Sequence, residues 1–306
     1  LVSCSLPGSD EPTAATEAAP GADTTATTET ITEAATEAGA EEIPVFAIDP
    51  GKIMAWWDGS TFVYVPAGEY RMGDAEATEG DNLPAHTVSL DAFWIHQAEV
   101  TNRMYAQCVA LGVCQAPNYT GSTVDHYNNP AFANHPVVNV DWEDARTYCE
   151  WIGGALPSEA QWEWAARGET GTPYYPWGDE EPNCSRLNYA SCITPTFTTP
   201  VNNYPLGLSP YYLADMAGNA FEWVNDWYGE TYYAGSPAGN PAGPDTGTER
   251  VIRGSSFRSP LEDLPAVERF SGIPTEARDD LGFRCILTGE TLATPPVPGG
   301  RPRRAK

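Results

Sequence analysis

Cysteine, arginine and histidine are the side chains whose spacing in this chain bears on chemistry. Seven cysteines occur, at Cys4, Cys108, Cys114, Cys149, Cys184, Cys192 and Cys285. A thiolate can attack, hold a soft metal or close a disulfide. No CxxC pair is present and no histidine lies close to a cysteine, which weakens a zinc reading. With Cys4 set aside, an even number remains, and disulfides are expected. Short spacings favour Cys108–Cys114 and Cys184–Cys192, which leaves Cys149–Cys285. Five of the 16 basic residues, Arg253, Arg258, Arg269, Arg278 and Arg284, gather between Arg253 and Cys285. Guanidinium groups can clamp a carboxylate in a fold or hold an anionic ligand. The four histidines, His86, His96, His126 and His135, have no ligand spacing and read as structural or surface residues. There is no HExxH, phosphate loop or nucleophile elbow. Ser259 has no evident histidine base.

Net charge narrows the partners. With 42 acids against 16 bases, the 306-residue chain carries −26. That argues against nucleic acid, because phosphate binding needs clustered cations. It also disfavours direct docking on anionic lipid. A hydrophobic content of 41%, with ten Trp and fifteen Tyr, suits a globular body; 28 Gly and 28 Pro predict many turns.

The elements that must position these side chains lie in the middle of the chain. "TFVYVPAGEYRMG" and "HTVSLDAFWIHQAEVT" read as strands. "TNRMYAQCVALG" predicts a helix capped by Thr101 and ended by Gly112. "VDWEDARTYCEWIGG" predicts a second, capped by Asp141 with acids in its first turn and stopped by Gly153 and Gly154. "LPSEAQWEWAARG" predicts a third, with a capping box of Ser158 and Gln161 and an end at Gly168. Beyond Gly171 we expect long ordered loops and short strands. Four segments result: residues 1–4, a tether at 5–42, a body at 43–293 and a Pro/Arg-rich tail at 294–306. "LVSC" resembles the end of a bacterial lipoprotein signal peptide, with Cys4 as the lipidated residue. The Thr/Ala/Glu-rich tether cannot bury a core. A cell-surface, extracytoplasmic protein that meets the membrane only through a lipid anchor is expected.

Several motifs then fall in order. "PAGEYRMG", "EVTNRMYAQCV", "HPVVNVDWEDARTYCEWIGGALPSEAQWEWAARG", "YYPWGDEEPNC", "DMAGNAFEWVNDWY", "RGSSF" and "GFRC" closely resemble the formylglycine-generating enzyme family, also called sulfatase-modifying factors. The resemblance runs from about Thr61 to Leu287. It implies an α+β fold: one compact, loop-rich domain, a C-type-lectin-like variant, with a groove floored by the C-terminal segment. It also implies the Cys149–Cys285 disulfide and bound calcium. The calcium ligands carried over are Asp215, the Gly218 and Ala220 carbonyls, and Glu222; oxygen donors on a tight turn suit a hard cation. A second calcium site would use Asn188 and the Tyr189 carbonyl, but "CITPTFTTPV" lacks the acid expected there.

The oxidases of the family convert a sulfatase cysteine to formylglycine on two cysteines that hold copper(I). Counting from "RGSS" puts Ser259 and Leu264 at those places, so the resemblance gives copper no ligands here. Arg253, Arg269 and Arg284 match motif positions and read as struts to buried carboxylates. Arg258 and Arg278 do not, and with Ser259, Glu262 and Asp263 they form the candidate ligand-binding surface. We therefore expect a calcium-stabilised, non-catalytic binding protein whose partner is a glycan, a surface polymer or a protein. The alternatives are an oxidase or divergent enzyme of the family, and a structural subunit that self-assembles.

Overall fold

Thr61–Val65 reads TFVYV, and four of its five residues are buried. β-Branched and aromatic side chains suit a pleated strand, and burial on both faces places it inside the body. In the computed structural model, which describes residues 51–118, 126–171, 173–192 and 197–289, this strand is β2. It lies between β1 (Ile53–Ala55) and β5 (Phe93–His96), and β10 (Ile286–Leu287) pairs on the far side of β5. The end of the body thus returns to a sheet begun at its start, with Ile286 opposite Ile95. A hairpin-like pair, β3 (Gly68–Met72) with β4 (His86–Leu90), forms a second sheet.

The third sheet runs β8-β7-β6-β9, made of β6 (Phe221–Trp227), β7 (Arg250–Arg253), β8 (Phe270–Gly272) and β9 (Leu281–Phe283). β6 and β9 run parallel, with Glu222 opposite Gly282; the other pairs are antiparallel. Short strands, long ordered loops and, among the described residues, three α-helices make a single α+β domain, as the sequence predicts.

Each helix starts where its cap stands. The Thr101 hydroxyl accepts from the Met104 N–H at the head of α1 (Asn102–Ala110). Asp141 accepts from the Asp144 N–H at 2.8 Å before α2 (Trp142–Trp151). Ser158 and Gln161 close a reciprocal box before α3 (Glu159–Arg167). Such caps satisfy N–H groups that the first turn leaves open. After α2, Gly154 lets β10 pass: a Cβ there would stand 2.1 Å from the Ile286 carbonyl oxygen. The Cys149–Cys285 disulfide ties the same two segments across 136 residues. Cys108–Cys114 and Cys184–Cys192 close short loops.

α3 is buried along most of its length, including Glu159, Glu163 and Arg167. Trp162 and Trp164 give it apolar contacts in one core cluster with Val63, Tyr70, Val224 and Val251. Its acids meet guanidinium groups. Arg253 Nη2 donates to Glu163 Oε2 at 2.7 Å, and Arg167 Nη1 to Glu163 Oε1 at 2.7 Å. Arg269 holds both oxygens of Glu159, at 2.7 and 3.0 Å. Arg284 holds both oxygens of Glu222 on β6, at 2.7 and 2.6 Å. The remaining N–H groups serve backbone carbonyls: Arg253 reaches Ala266 and Val267, and Arg284 reaches His96 at the end of β5 and Ala214. Paired with carboxylates and hydrogen-bonded to carbonyls, these charges can be buried; only Arg253 Nε lacks a hydrogen bond, lying 3.9 Å from Glu159 Oε1.

Beside them sits Asp226, whose Oδ2 accepts from the Glu159 N–H at 2.9 Å. Burial, then the Glu159 charge, pushes its carboxyl up to about 8.

Two outcomes follow for stability. Glu163→Gln strands the Arg253 guanidinium, and denaturant unfolding should show a loss of about 3–5 kcal/mol. Removing the half-exposed Arg146 from its pairs with Glu143 and Glu150 should cost less than about 1 kcal/mol. For Asp226 the folded state keeps a proton that the unfolded state releases near its ordinary value. Its contribution is therefore full below that value and is lost as pH rises towards 8. Asp226→Asn should flatten the fall in melting temperature over that window; an unchanged slope would assign it to other groups.

Candidate functional site

The turn after β7 joins two functional segments. Ser255 takes a left-handed conformation, φ 81°, and its hydroxyl accepts from the Gly218 N–H at 2.8 Å. This links the "RGSS" turn to the "DMAGNAFE" turn. There Asp215, Gly218 and Asn219 also have positive φ. Gly218 is required by space as well: a Cβ would meet the Asn188 carbonyl oxygen at 2.4 Å. The chain reversal thereby brings residues 215–222 against Asn188.

Around this turn three buried carboxylates, Glu99, Asp215 and Glu222, face one guanidinium, Arg284. Glu222 is fully engaged, because Arg284 holds both oxygens and Trp162 Nε1 donates to Oε2 at 2.8 Å. Asp215 Oδ2 accepts from the Asn202 N–H at 2.9 Å. Glu99 Oε1 accepts from Asn219 Nδ2 at 2.9 Å, and the Glu99 carboxyl also shares a hydrogen bond with Asp215. Burial, aided by the Asp215 charge, holds Glu99 well above the usual carboxylate range; burial pushes Asp215 up to about 6. Among the described residues no three His, Cys, Asp or Glu side chains form a metal-holding group. A hard cation would instead rely on backbone carbonyls beside Asp215. The donor type and the excess negative charge fit such an ion; the arginine grip on Glu222 competes with it.

At the second place, Asn188 Oδ1 is buried without a partner while Nδ2 donates to the Phe197 carbonyl at 2.9 Å. The Tyr189 carbonyl already accepts from the Cys192 N–H. Residues 193–196, where further ligands would fall, lie outside the described residues.

The two positions expected to carry copper thiolates are interior. Ser259 is 3% exposed; its Oγ accepts from the Ser256 N–H and its carbonyl from the Ala190 N–H. This corrects its place on the ligand-facing surface: the hydroxyl closes a local turn instead. Leu264 is fully buried and packs with Leu187, Tyr189, Cys192 and Ala217, with Tyr175 and Trp177 alongside. All six described cysteines are in disulfides.

Outside this layer, Arg258 is half exposed over the Phe257 ring and paired with both oxygens of Asp279. Arg278 pairs with Asp280 at 3.0 Å, lies near Glu276 and covers Phe221. Neither is a free cation; the neighbouring acids, adjacent in sequence, neutralise both. Glu262 and Asp263 lie on a short 3-10 turn, Leu261–Asp263, with Glu262 exposed and Asp263 half-buried. Sequence reasoning did not single out an aromatic residue beside this turn. The structure identifies Tyr174, exposed and bonded through its carbonyl to the Ala266 N–H, and the parallel Tyr175–Trp177 stack at 5.2 Å. The run "YYPWG", aromatic residues held by Pro and Gly, was the available signal. Cys4, the tether and the tail lie outside the described residues.

A loop-rich α+β body with this order of turns defines a domain of the formylglycine-generating-enzyme type, related to C-type-lectin-like folds. Residues 55–288 match the sulfatase-modifying factor enzyme 1-like domain, and the chain belongs to that family. It is at least 35% identical over 245 residues or more to relatives of two kinds. One is the formylglycine-generating enzyme of Streptomyces coelicolor, at 35% over 297 residues, covering 79% of this chain and 94% of that protein. The other is the serine/threonine-protein kinase pkn1 of Chlamydia pneumoniae, at 37% over 245 residues and 73% of this chain. The match spans only 37% of the kinase's length. Among solved structures, PvdO from Pseudomonas aeruginosa superposes with a TM-score of 0.66 at 27% identity, over 78% of this chain and 99% of that one.

If Leu264 packs as described, Leu264→Ala should lower unfolding stability by about 2–5 kcal/mol. Glu262→Ala, on the exposed turn, should stay within about 0.5 kcal/mol. Similar small effects for both would place Leu264 at the surface.

Proposed function

We propose that this domain is a binding module rather than an oxidase: a calcium-stabilised, lipid-tethered, cell-surface protein that recognises a glycan, surface polymer or protein partner. The observation that carries the reading is the state of the sulfur. Every described cysteine is in a disulfide, and the two places where the family's oxidases hold copper are a turn serine and a packed leucine. Soft thiolates select copper(I), and a hydroxyl with an isobutyl group does not replace them.

What remains at the groove suits recognition. Tyr174, Leu261, Glu262 and the Arg258–Asp279 pair give an exposed surface of aromatic, apolar and charged groups. The Tyr175–Trp177 stack supports it from below. Aromatic and arginine side chains dominate binding energy where they are anchored and desolvated. Calcium would sit at Asp215 with the Gly218 and Ala220 carbonyls and would share Glu222 with Arg284, neutralising the carboxylate excess there and fixing the turn that Ser255 grips. The family also contains oxidases, and the 35% identity to one of them favours oxidation as the second reading.

Calcium should raise the melting temperature of the purified chain, since an ion that binds only the folded state stabilises it by mass action. Asp215→Ala should lose that response; identical melting curves with and without calcium would remove the ion from the account. A glycan and surface-protein screen in calcium should give a ligand whose affinity falls at least tenfold, about 1.4 kcal/mol, in a Tyr174→Ala, Leu261→Ala double variant. A screen that stays blank, or a ligand indifferent to both changes, would contradict the assigned surface.

A further inference from the structure

The described disulfides differ in access. Cys149 and Cys285 are fully buried, and Cys108 and Cys114 are buried as well. Cys184 is exposed, although its partner Cys192 is buried. A disulfide exchanges when a thiolate reaches one of its sulfurs, so exposure sorts the three bonds. Of these, Cys184–Cys192 alone offers an end to solvent.

That bond fastens a loop on which two other segments rest. The cysteines are eight positions apart, and between them Leu187, Asn188 and Tyr189 are buried. Leu187, Tyr189 and Cys192 itself pack with Ala217 and Leu264, and Tyr175 and Trp177 lie against the same cluster. Backbone bonds complete the hold. The Asn219 N–H donates to the Asn188 carbonyl at 2.9 Å, and the Ala190 N–H donates to the Ser259 carbonyl at 3.1 Å. The "DMAGNAFE" turn and the segment after "RGSS" are therefore both seated on one stapled loop. The two ends of the staple differ in chemistry. Attack at the exposed Cys184 makes Cys192 the leaving thiolate, which takes a proton from water. Cys192 Sγ lies 3.5 Å from the Leu187 carbonyl, so the released S–H has an acceptor within the fold.

We propose that Cys184–Cys192 is a modification site for small thiols. A thiolate attacks Cys184 Sγ, a mixed disulfide forms there, the Cys184–Cys192 bond breaks, and Cys192 is released as a thiol. One disulfide replaces another, so no further oxidant or reductant enters. The loop, no longer closed on itself, loosens beneath the 215–222 turn and Leu264, because a short cross-link had restricted its open forms. The reaction requires neither the proposed partner nor calcium, so either reading can fail without the other.

Cysteamine tests the site, as a cationic thiol that a chain of net charge −26 does not repel. It is added in small excess to the folded full chain at neutral pH, quenched with acid and followed by peptide mapping, which also separates any product at Cys4. The expected product carries one cysteamine on Cys184 and a free thiol at Cys192, with Cys108–Cys114 and Cys149–Cys285 closed. In that product, amide hydrogen exchange at Ala190 and Asn219 should speed up about tenfold, whereas the amides of Phe62–Val65 should keep the rate of the untreated chain. A Cys184→Ser, Cys192→Ser double variant should show the same faster exchange without cysteamine; if it does not fold, the native chain decides alone. Adducts forming first at Cys108, Cys114, Cys149 or Cys285, no adduct at Cys184, or unchanged exchange at Ala190 and Asn219 in the adduct would each overturn the proposal.

Discussion

Glu159 and Glu163 stand on a nine-residue helix with no route to solvent, so their charges have to end on Arg269, Arg253 and Arg167. Much of the architecture follows from that requirement. Arg167 is on the same helix, but Arg253 and Arg269 come from the C-terminal segment, far along the chain, and each can serve its carboxylate only if its segment takes one position. The fork geometry of guanidinium also leaves N–H groups to spare, and these fasten backbone carbonyls of the surrounding segments. A body with short strands thereby gains order where β-ladders give little. The energy of such pairs is modest in net terms, because desolvation offsets attraction. Their effect is to penalise every arrangement in which one partner is missing.

The same constraint shapes the C-terminal segment. Arg253 opens the "RGSS" turn and Arg284 lies two residues past the middle of β9, so the floor between them is suspended from two clamps. Ser255 then locks the floor to the turn at Gly218, and Ser256 reaches Asp280. A rigid floor can hold reacting sulfurs in an oxidase or present a fixed surface in a receptor. Here the interior positions are filled by a turn hydroxyl and a leucine, while the exposed positions carry Tyr174, Leu261 and Glu262. The scaffold and the chemistry are separable, as expected when function is a site set on a fold.

Much of the fold was legible in the sequence because its signals are local. Thr101, Asp141 and the Ser158–Gln161 box mark helix starts by their own hydrogen bonds, and the strand of Thr61–Val65 shows in its residue types. The ordered motifs extended this to the whole body. Partner identity was not legible. Nothing within "VERF" or "GFRC" says that Arg269 meets Glu159 or that Arg284 meets Glu222, 110 and 62 residues away. The exposure of Ser259 was misjudged for a related reason: its burial depends on Ala190 and Ser256, which only the folded chain brings together. Glu99 escaped notice because a single acid before a helix looks like a solvated residue. Its significance lies in the company of Asp215, Asn219 and Arg284, all distant in sequence.

The central claim is that the groove no longer carries the sulfur chemistry of the family's oxidases. Copper(I) titration of the full chain with its disulfides intact, followed by incubation with oxygen and a cysteine-containing peptide, tests it most directly. The account predicts no stoichiometric copper binding at the groove and no conversion of the peptide cysteine to formylglycine. One equivalent of tightly bound copper with oxygen-dependent formation of the aldehyde would contradict it.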